Sequence, residues 1–236
     1  LAYLTFLVGI GSAIMLSISN PDLSIMSGFE LGSHILILLI AFPIHELSHA
    51  VVADRLGDPT PRSHGRITLN PFAQLNFIGS LLMLLVGLGW AYVPINPRYL
   101  RPNPRLGHVI VAAAGPISNM ILAILCALLW HSLAVILPAF GSPALLAYAR
   151  QVLFFFALFN LALFIFNLIP IAPLDGFSVL KGLLPYNLAY QLERLQRFSM
   201  FIFLGVFFIA PLMGLPIVDW LIFRPAATLT ALLFGI

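Results

Sequence analysis

The sequence predicts an all-α, polytopic membrane protein, and three observations carry that prediction. Of its 236 residues 61% are hydrophobic and only 8% charged, with a mean hydropathy of +1.06, outside the range of soluble domains. Apolar runs close to the roughly 20 residues that a helix needs to cross hydrocarbon recur along the chain. The segments between them are short and rich in Pro, Gly and Arg, as membrane loops are. We read residues 1–236 as a single membrane domain with about six transmembrane helices and one short re-entrant β-hairpin or loop region.

The first span covers about Leu1 to Ile18. The loop from Ser19 to Glu30 carries only Asp22 and Glu30 as charges and is read as external. A second span runs from about Gly32 to Leu56 and stops at Gly57-Asp58-Pro59. Beyond it, Arg66-Ile67-Thr68-Leu69-Asn70 alternates and contains β-branched residues, which predicts a short strand before the Asn70-Pro71 turn. The run Phe77 to Val93 contains Gly79, Gly87 and Gly89, and its unbroken helical core of about a dozen residues is short for a span. If it crossed, the Arg62/Arg66 cluster and the Arg98/Arg101/Arg105 cluster would face opposite sides, against the positive-inside bias. A re-entrant hairpin keeps both clusters cytoplasmic. Its non-helical backbone then requires an internal cavity to satisfy its amides.

Gly107 to Leu137 leaves the cytoplasm and the helix from about Leu146 to Ile169 returns, which puts Asn167 to Gly176 near the cytoplasmic face. Tyr186 to Phe198 carries Leu188, Leu192 and Leu195 on one face and reads as an interfacial helix. From Ser199 onward there is one span and, after Pro216 and Asp219, a second. No internal repeat and no low-complexity segment is present. The charge of +3 and the pI near 9.4 come from basic residues scattered at helix ends, which set topology. Without a basic stripe, nucleic-acid binding is excluded. Cys126 is the single cysteine, which excludes a disulfide within the chain and any cysteine-based metal site.

The chemistry concentrates in His45-Glu46-Leu47-Ser48-His49, an H-E-x-x-H pattern whose i, i+4 spacing puts both imidazoles on one helix face. Two such nitrogens can bind one zinc ion. The carboxylate beside them is free to take a proton from metal-bound water and deliver it to a leaving amine. Placing these polar groups in an apolar span is costly, which marks them as functional. A catalytic zinc takes three protein ligands and keeps one open position. With the second span running inward, His45 lies roughly 20 Å below the outer surface, nearer the cytoplasmic side. Asp175 approaches from that side in Pro170-Ile171-Ala172-Pro173-Leu174-Asp175-Gly176, where prolines break the helix and Gly176 permits a sharp turn that aims the carboxylate inward.

These residues resemble the site-2 protease family of intramembrane metalloproteases (M50-type), which pairs H-E-x-x-H with a later Leu-Asp-Gly motif. The resemblance covers most of the chain. It extends to Gly57-Asp58, Gly65-Arg66, Thr68-Leu69-Asn70-Pro71, Gly89-Trp90-Ala91, Asn96-Pro97-Arg98, Ala114-Gly115-Pro116 with Asn119, and Asn167 with Pro170. It implies a short prokaryotic form without PDZ or CBS domains, in which His45, His49 and Asp175 bind one Zn2+ and Glu46 is the catalytic base. It also favours Asn167 near the reacting carbonyl, as an amide donor to the oxyanion. Asn119 is a second buried amide, read as oxyanion or substrate contact or as glue between helices. Resembling chains often carry a His and an Asp after Asn-Pro where this one has Gln74 and Asn76, a departure that leaves the core chemistry intact. His34, His64, His108 and His131 belong to no motif.

The function expected is hydrolysis of peptide bonds in or near the transmembrane helices of single-span membrane-protein substrates. The enzyme is expected to be multi-pass in a prokaryotic plasma membrane, with its site nearer the cytoplasmic face. A helix must be locally extended before it can be cut, and Ala91-Tyr92-Val93-Pro94-Ile95 is read as an edge strand that pairs with substrate, chiefly through Tyr92 and Val93. The alternative, a membrane metal-ion carrier or channel using the same His and Asp groups, has no specific need of Glu46. A pseudoprotease requires a broken motif, and no metal or base position is broken.

Overall fold

The computed structural model describes residues 36–74, 93–136 and 142–236. The first predicted span, the external loop, Tyr92 and the Phe77 to Tyr92 part of the re-entrant run lie outside these described residues. The framework is helical: α1 (Phe42–Arg55), α2 (Pro104–Ile136), α3 (Pro143–Leu168), α4 (Asp175–Leu183), α5 (Tyr186–Leu204) and α6 (Arg224–Phe234), with short turns between them. Two of these helices start on the same device. The Ser142 hydroxyl accepts from the Leu145 amide at 3.1 Å, and the Asn103 carbonyl oxygen accepts from the Leu106 amide at 2.8 Å. Pro143 and Pro104 follow directly, at positions where the missing amide hydrogen costs nothing.

Among the described residues three helices are long and apolar enough to cross a bilayer: Pro104–Leu133 within α2, all of α3, and α5 extended to Leu212. The chain is therefore a multi-pass membrane protein. α2 packs along α3 through the fully or nearly fully buried Ala123, Ala127, Ala157 and Ala162, small residues that let helix backbones approach where lipid supplies no hydrophobic drive. α6 closes this pair from outside, with the Phe234 ring edge-on to Trp130 and Phe154. α1 and α4 pack against α2 as well, and that three-helix junction carries the functional residues.

Two expectations need correction. No strand is present among the described residues, and Arg66 to Asn70 is an irregular segment. Side chains do there what a neighbouring strand would do: Gln74 Nε2 donates to the Arg66 and Thr68 carbonyls, and the Arg66 guanidinium donates to the Ala73 and Gln74 carbonyls, all at 2.8 to 2.9 Å. With its carbonyls satisfied locally, the alternating sequence has no need of a sheet. Nor do Tyr186 to Phe198 form a separate interfacial helix. They are the first half of one helix that runs to Leu204 and continues through a π-helical turn at Gly205–Ile209 to Leu212. No Pro or Gly interrupts it before Gly205. At 27 residues the whole element is about 40 Å long, more than the hydrocarbon thickness of about 30 Å, so its charged first half extends past the apolar layer. Lys181 Nζ on α4 meets Glu193 on that half at 2.9 Å.

The chain leaves α1 at Leu56 and returns to the same end of it. The Asn96 amide donates to Asp58 Oδ2 at 2.6 Å, and the Arg101 amide donates to the Leu56 carbonyl at 2.9 Å. Arg62 lies at this end too, paired with Asp54 at 2.7 Å. Between these points the turn Pro71–Gln74 packs against α1 and against the π-helical turn Ile37–Ala41 that precedes it.

Candidate metal centre

His45 and His49 lie one turn apart on the buried face of α1, which also holds Pro43, Glu46, Ala50 and Ala53. Asp175 is the first residue of α4, brought in by the turn that follows α3. Gly176 serves this approach in a way the sequence reading did not foresee. It is helical, and a methyl group on it would run into the Leu168 carbonyl at the end of α3; its lack of a side chain lets α4 start hard against α3. The three donor atoms converge: His45 Nε2 and His49 Nε2 are 3.1 Å apart, and Asp175 Oδ2 lies 3.2 Å from the first and 3.4 Å from the second. His45 and His49 are each 6% exposed.

The protons on these groups test whether the cluster suits a cation. His49 Nδ1 lies 2.7 Å from the Val111 carbonyl of α2, and a backbone carbonyl only accepts, so the neutral ring carries its hydrogen on Nδ1 and presents the lone pair of Nε2. Asp175 Oδ2 is buried without a hydrogen-bond donor among the described residues. With both rings neutral, electron pairs face one another across little more than 3 Å, an arrangement that a positive ion among them relieves. Ligands held tetrahedrally about 2.0–2.2 Å from zinc stand roughly 3.3–3.6 Å apart, close to the triangle observed. Space is kept for the ion by Gly115 of α2: a methyl group there would fall on both Nε2 atoms. The donor set, two imidazoles and one carboxylate, leaves a tetrahedral metal one open position.

Glu46 is 7% exposed, between the two ligands in sequence and within electrostatic reach of His45, His49, Asp175 and Arg66. It is the carboxylate that the motif puts beside the metal rather than on it. Asn119 ties helices together. It is fully buried, its Oδ1 lies 2.6 Å from His45 Nδ1 on α1, and its Nδ2 donates to Asn160 on α3 at 3.0 Å. Asn167, half-buried in the last turn of α3, donates one amide hydrogen to the Leu163 carbonyl at 3.0 Å. Val93 is buried at the point where the described chain resumes, in a segment with neither helix nor strand. Gln74 is buried in the clasp with Arg66, while Asn76 lies outside the described residues.

Sequence reasoning missed three contributors. Val111 acts through its backbone carbonyl, which no side-chain pattern reveals. Gly115 appeared only within Ala114-Gly115-Pro116; its four-residue spacing from Val111 and Asn119 puts all three on one face of α2, a signal available once Asn119 is taken as pointing to the site. Asn160, a polar residue in an otherwise apolar helix, gave the same kind of signal as Asn167. Of the remaining histidines, His64 and His131 bond backbone carbonyls away from the cluster, and His108 on α2 lies within electrostatic reach of Asp175 and His49.

Comparison with known proteins agrees with this geometry. Residues 33–211 match the sequence pattern of peptidase family M50. The chain is 38% identical over 182 residues to YwhC of Bacillus subtilis (strain 168), covering 75% of this chain and 80% of that protein. It is 33% identical over 147 residues to Rip2 of Mycolicibacterium smegmatis, covering 61% and 54% of the two chains. Against Rip2 of Mycobacterium tuberculosis (strain H37Rv) the identity is 29% over 177 residues, or 73% and 65%. All three relatives are provisionally named as zinc metalloproteases. No solved structure matches the chain. With three quarters of its length carrying the family pattern and the H-E-x-x-H helix meeting Asp175 at one point, the chain belongs to peptidase family M50.

Proposed function

We propose that this protein is an intramembrane zinc protease that hydrolyses peptide bonds in or near the transmembrane helices of single-span membrane proteins. The observation that carries the reading is the meeting of His45, His49 and Asp175 within 3.1 to 3.4 Å of one another beside the buried Glu46, in a protein with three helices fit to cross a bilayer. Zinc held by these three residues supplies a Lewis acid for the scissile carbonyl and lowers the pKa of water. Glu46 accepts the proton of the attacking water and returns it to the leaving amide nitrogen. Asn167 has a second amide hydrogen beyond the one given to Leu163, and we assign it to the developing oxyanion. The test is to purify the chain in detergent and offer it a panel of single-span helices. Cleavage should stop when a chelator removes zinc and return when zinc is restored; cleavage that persists in the zinc-free protein overturns the reading.

The same proposal keeps the re-entrant reading of Phe77 to Val93, nearly all of which lies outside the described residues, with the site nearer the cytoplasmic face of a prokaryotic plasma membrane. Its support is that the chain leaves α1 beside Asp58 and comes back to it through Asn96 and Arg101. Cysteines placed at Arg62 and at Arg101 should react with an impermeant thiol reagent from one and the same side. Labelling from opposite sides would mean that the segment crosses the bilayer.

A substrate helix must be unwound to be cut, and we assign its docking to the edge of Ala91–Ile95, through Tyr92 and Val93. The absence of helix at Val93 to Asn96 and the Pro94 that follows Val93 support this, since proline is at home on an edge strand. Val93→Pro removes one pairing amide. We expect turnover of a transmembrane substrate to fall about 10-fold, one lost hydrogen bond to a strained substrate, with bound zinc unchanged. Wild-type turnover in the zinc-loaded variant would exclude pairing through that amide.

A further inference from the structure

Behind His45 a line of polar side chains runs away from the metal cluster and crosses three helices. His45 Nδ1 on α1 lies 2.6 Å from Asn119 Oδ1 on α2, Asn119 Nδ2 donates to Asn160 Oδ1 on α3 at 3.0 Å, and Asn160 Nδ2 donates to the Phe156 carbonyl at 2.8 Å. Asn119 and Asn160 are both fully buried.

The direction of every bond in this line follows from its far end. An amide can face either way and an imidazole has two neutral tautomers, so the His45–Asn119 contact alone fixes nothing. The Phe156 carbonyl can only accept. Asn160 must therefore turn Nδ2 toward it and Oδ1 toward Asn119, and Asn119 must turn Nδ2 back and Oδ1 toward His45. His45 then carries its hydrogen on Nδ1, and Nε2 is left with the lone pair that a metal needs. If the line ran in the opposite sense, Nε2 would carry the hydrogen and could not be a ligand. His49 reaches the same result in one step, from the Val111 carbonyl.

We propose that Asn160 is a positioning residue for the metal centre, which sets the tautomer of His45 through Asn119. Partners that orient a metal-bound histidine are worth about 10–100-fold in metal affinity. Asn160→Leu keeps the approximate volume but leaves Asn119 free to rotate, and so lets His45 take either tautomer. The assignment rests on His45 being a ligand, which His45→Ala checks separately in the same assay: unaltered zinc binding there would remove the metal reading itself and not the relay alone.

The experiment is a double-mutant cycle on the full chain, read by zinc affinity in competition with a chelator and by imidazole nitrogen-15 shifts of the metal-free protein. Asn160→Leu alone should weaken zinc about 10–100-fold and populate the second His45 tautomer. Asn119→Asp presents oxygen on both ends, so it accepts from His45 Nδ1 without instruction from behind. In that background Asn160→Leu should change zinc affinity by no more than about 2-fold. Unchanged zinc affinity on Asn160→Leu, or an equal loss in both backgrounds, would reduce Asn160 to a packing residue and overturn the proposal. If the leucine variant does not fold, Asn160→Ala replaces it in the same cycle with the same two outcomes.

Discussion

Glu46→Gln should lower peptide cleavage by about 10²–10⁴-fold, the range of a lost general acid–base, and leave the bound zinc in place. The two side chains have nearly the same shape, so the buried site that holds Glu46 at 7% exposure accepts the amide without a change of volume. What is lost is basicity: a glutamine cannot take a proton from water at neutral pH. The three ligands are untouched, since Glu46 ligates nothing. Metal analysis and cleavage of a single-span helix, on the same preparation, decide the matter. Undiminished cleavage would mean that another group carries the proton, and loss of zinc together with cleavage would mean that Glu46 has a structural part in the metal centre.

Asp175→Ala removes a ligand and has the larger effect on the metal. With two imidazoles remaining, zinc should be lost on purification or on mild chelation, and cleavage with it. Full zinc occupancy with normal turnover would show that the third ligand lies elsewhere.

The chemistry was legible in the sequence because it depends on spacing. His49 follows His45 by four positions, and a helix turns that spacing into one face. Asp175 was readable because Pro170 and Pro173 before it break the preceding helix and few other acidic groups approach from that side. Arg66 to Asn70 misled for a physical reason: alternation reports which side chains share a face, not whether a neighbouring strand exists, and the Arg66–Gln74 clasp supplied the hydrogen bonds instead. Tyr186 to Phe198 misled because amphipathicity marks where a helix meets water and carries no information on where the helix ends. The support behind the ligands was the least visible part. A backbone carbonyl such as that of Val111 has no sequence signature, and an asparagine in an apolar helix looks the same whether it ties two helices together or directs a proton.

The ligands of this centre come from opposite halves of the chain, His45 and His49 early and Asp175 late. A ribosome adding roughly 5–20 residues per second needs on the order of ten seconds to travel from the second histidine to the aspartate. During that interval the nascent protein holds half of a hydrolytic centre in the same bilayer as its own emerging helices and those of its neighbours. Two imidazoles alone bind metal weakly, so the emerging chain is inert. The ligand set is complete only once α4 has been made, after α2 and α3.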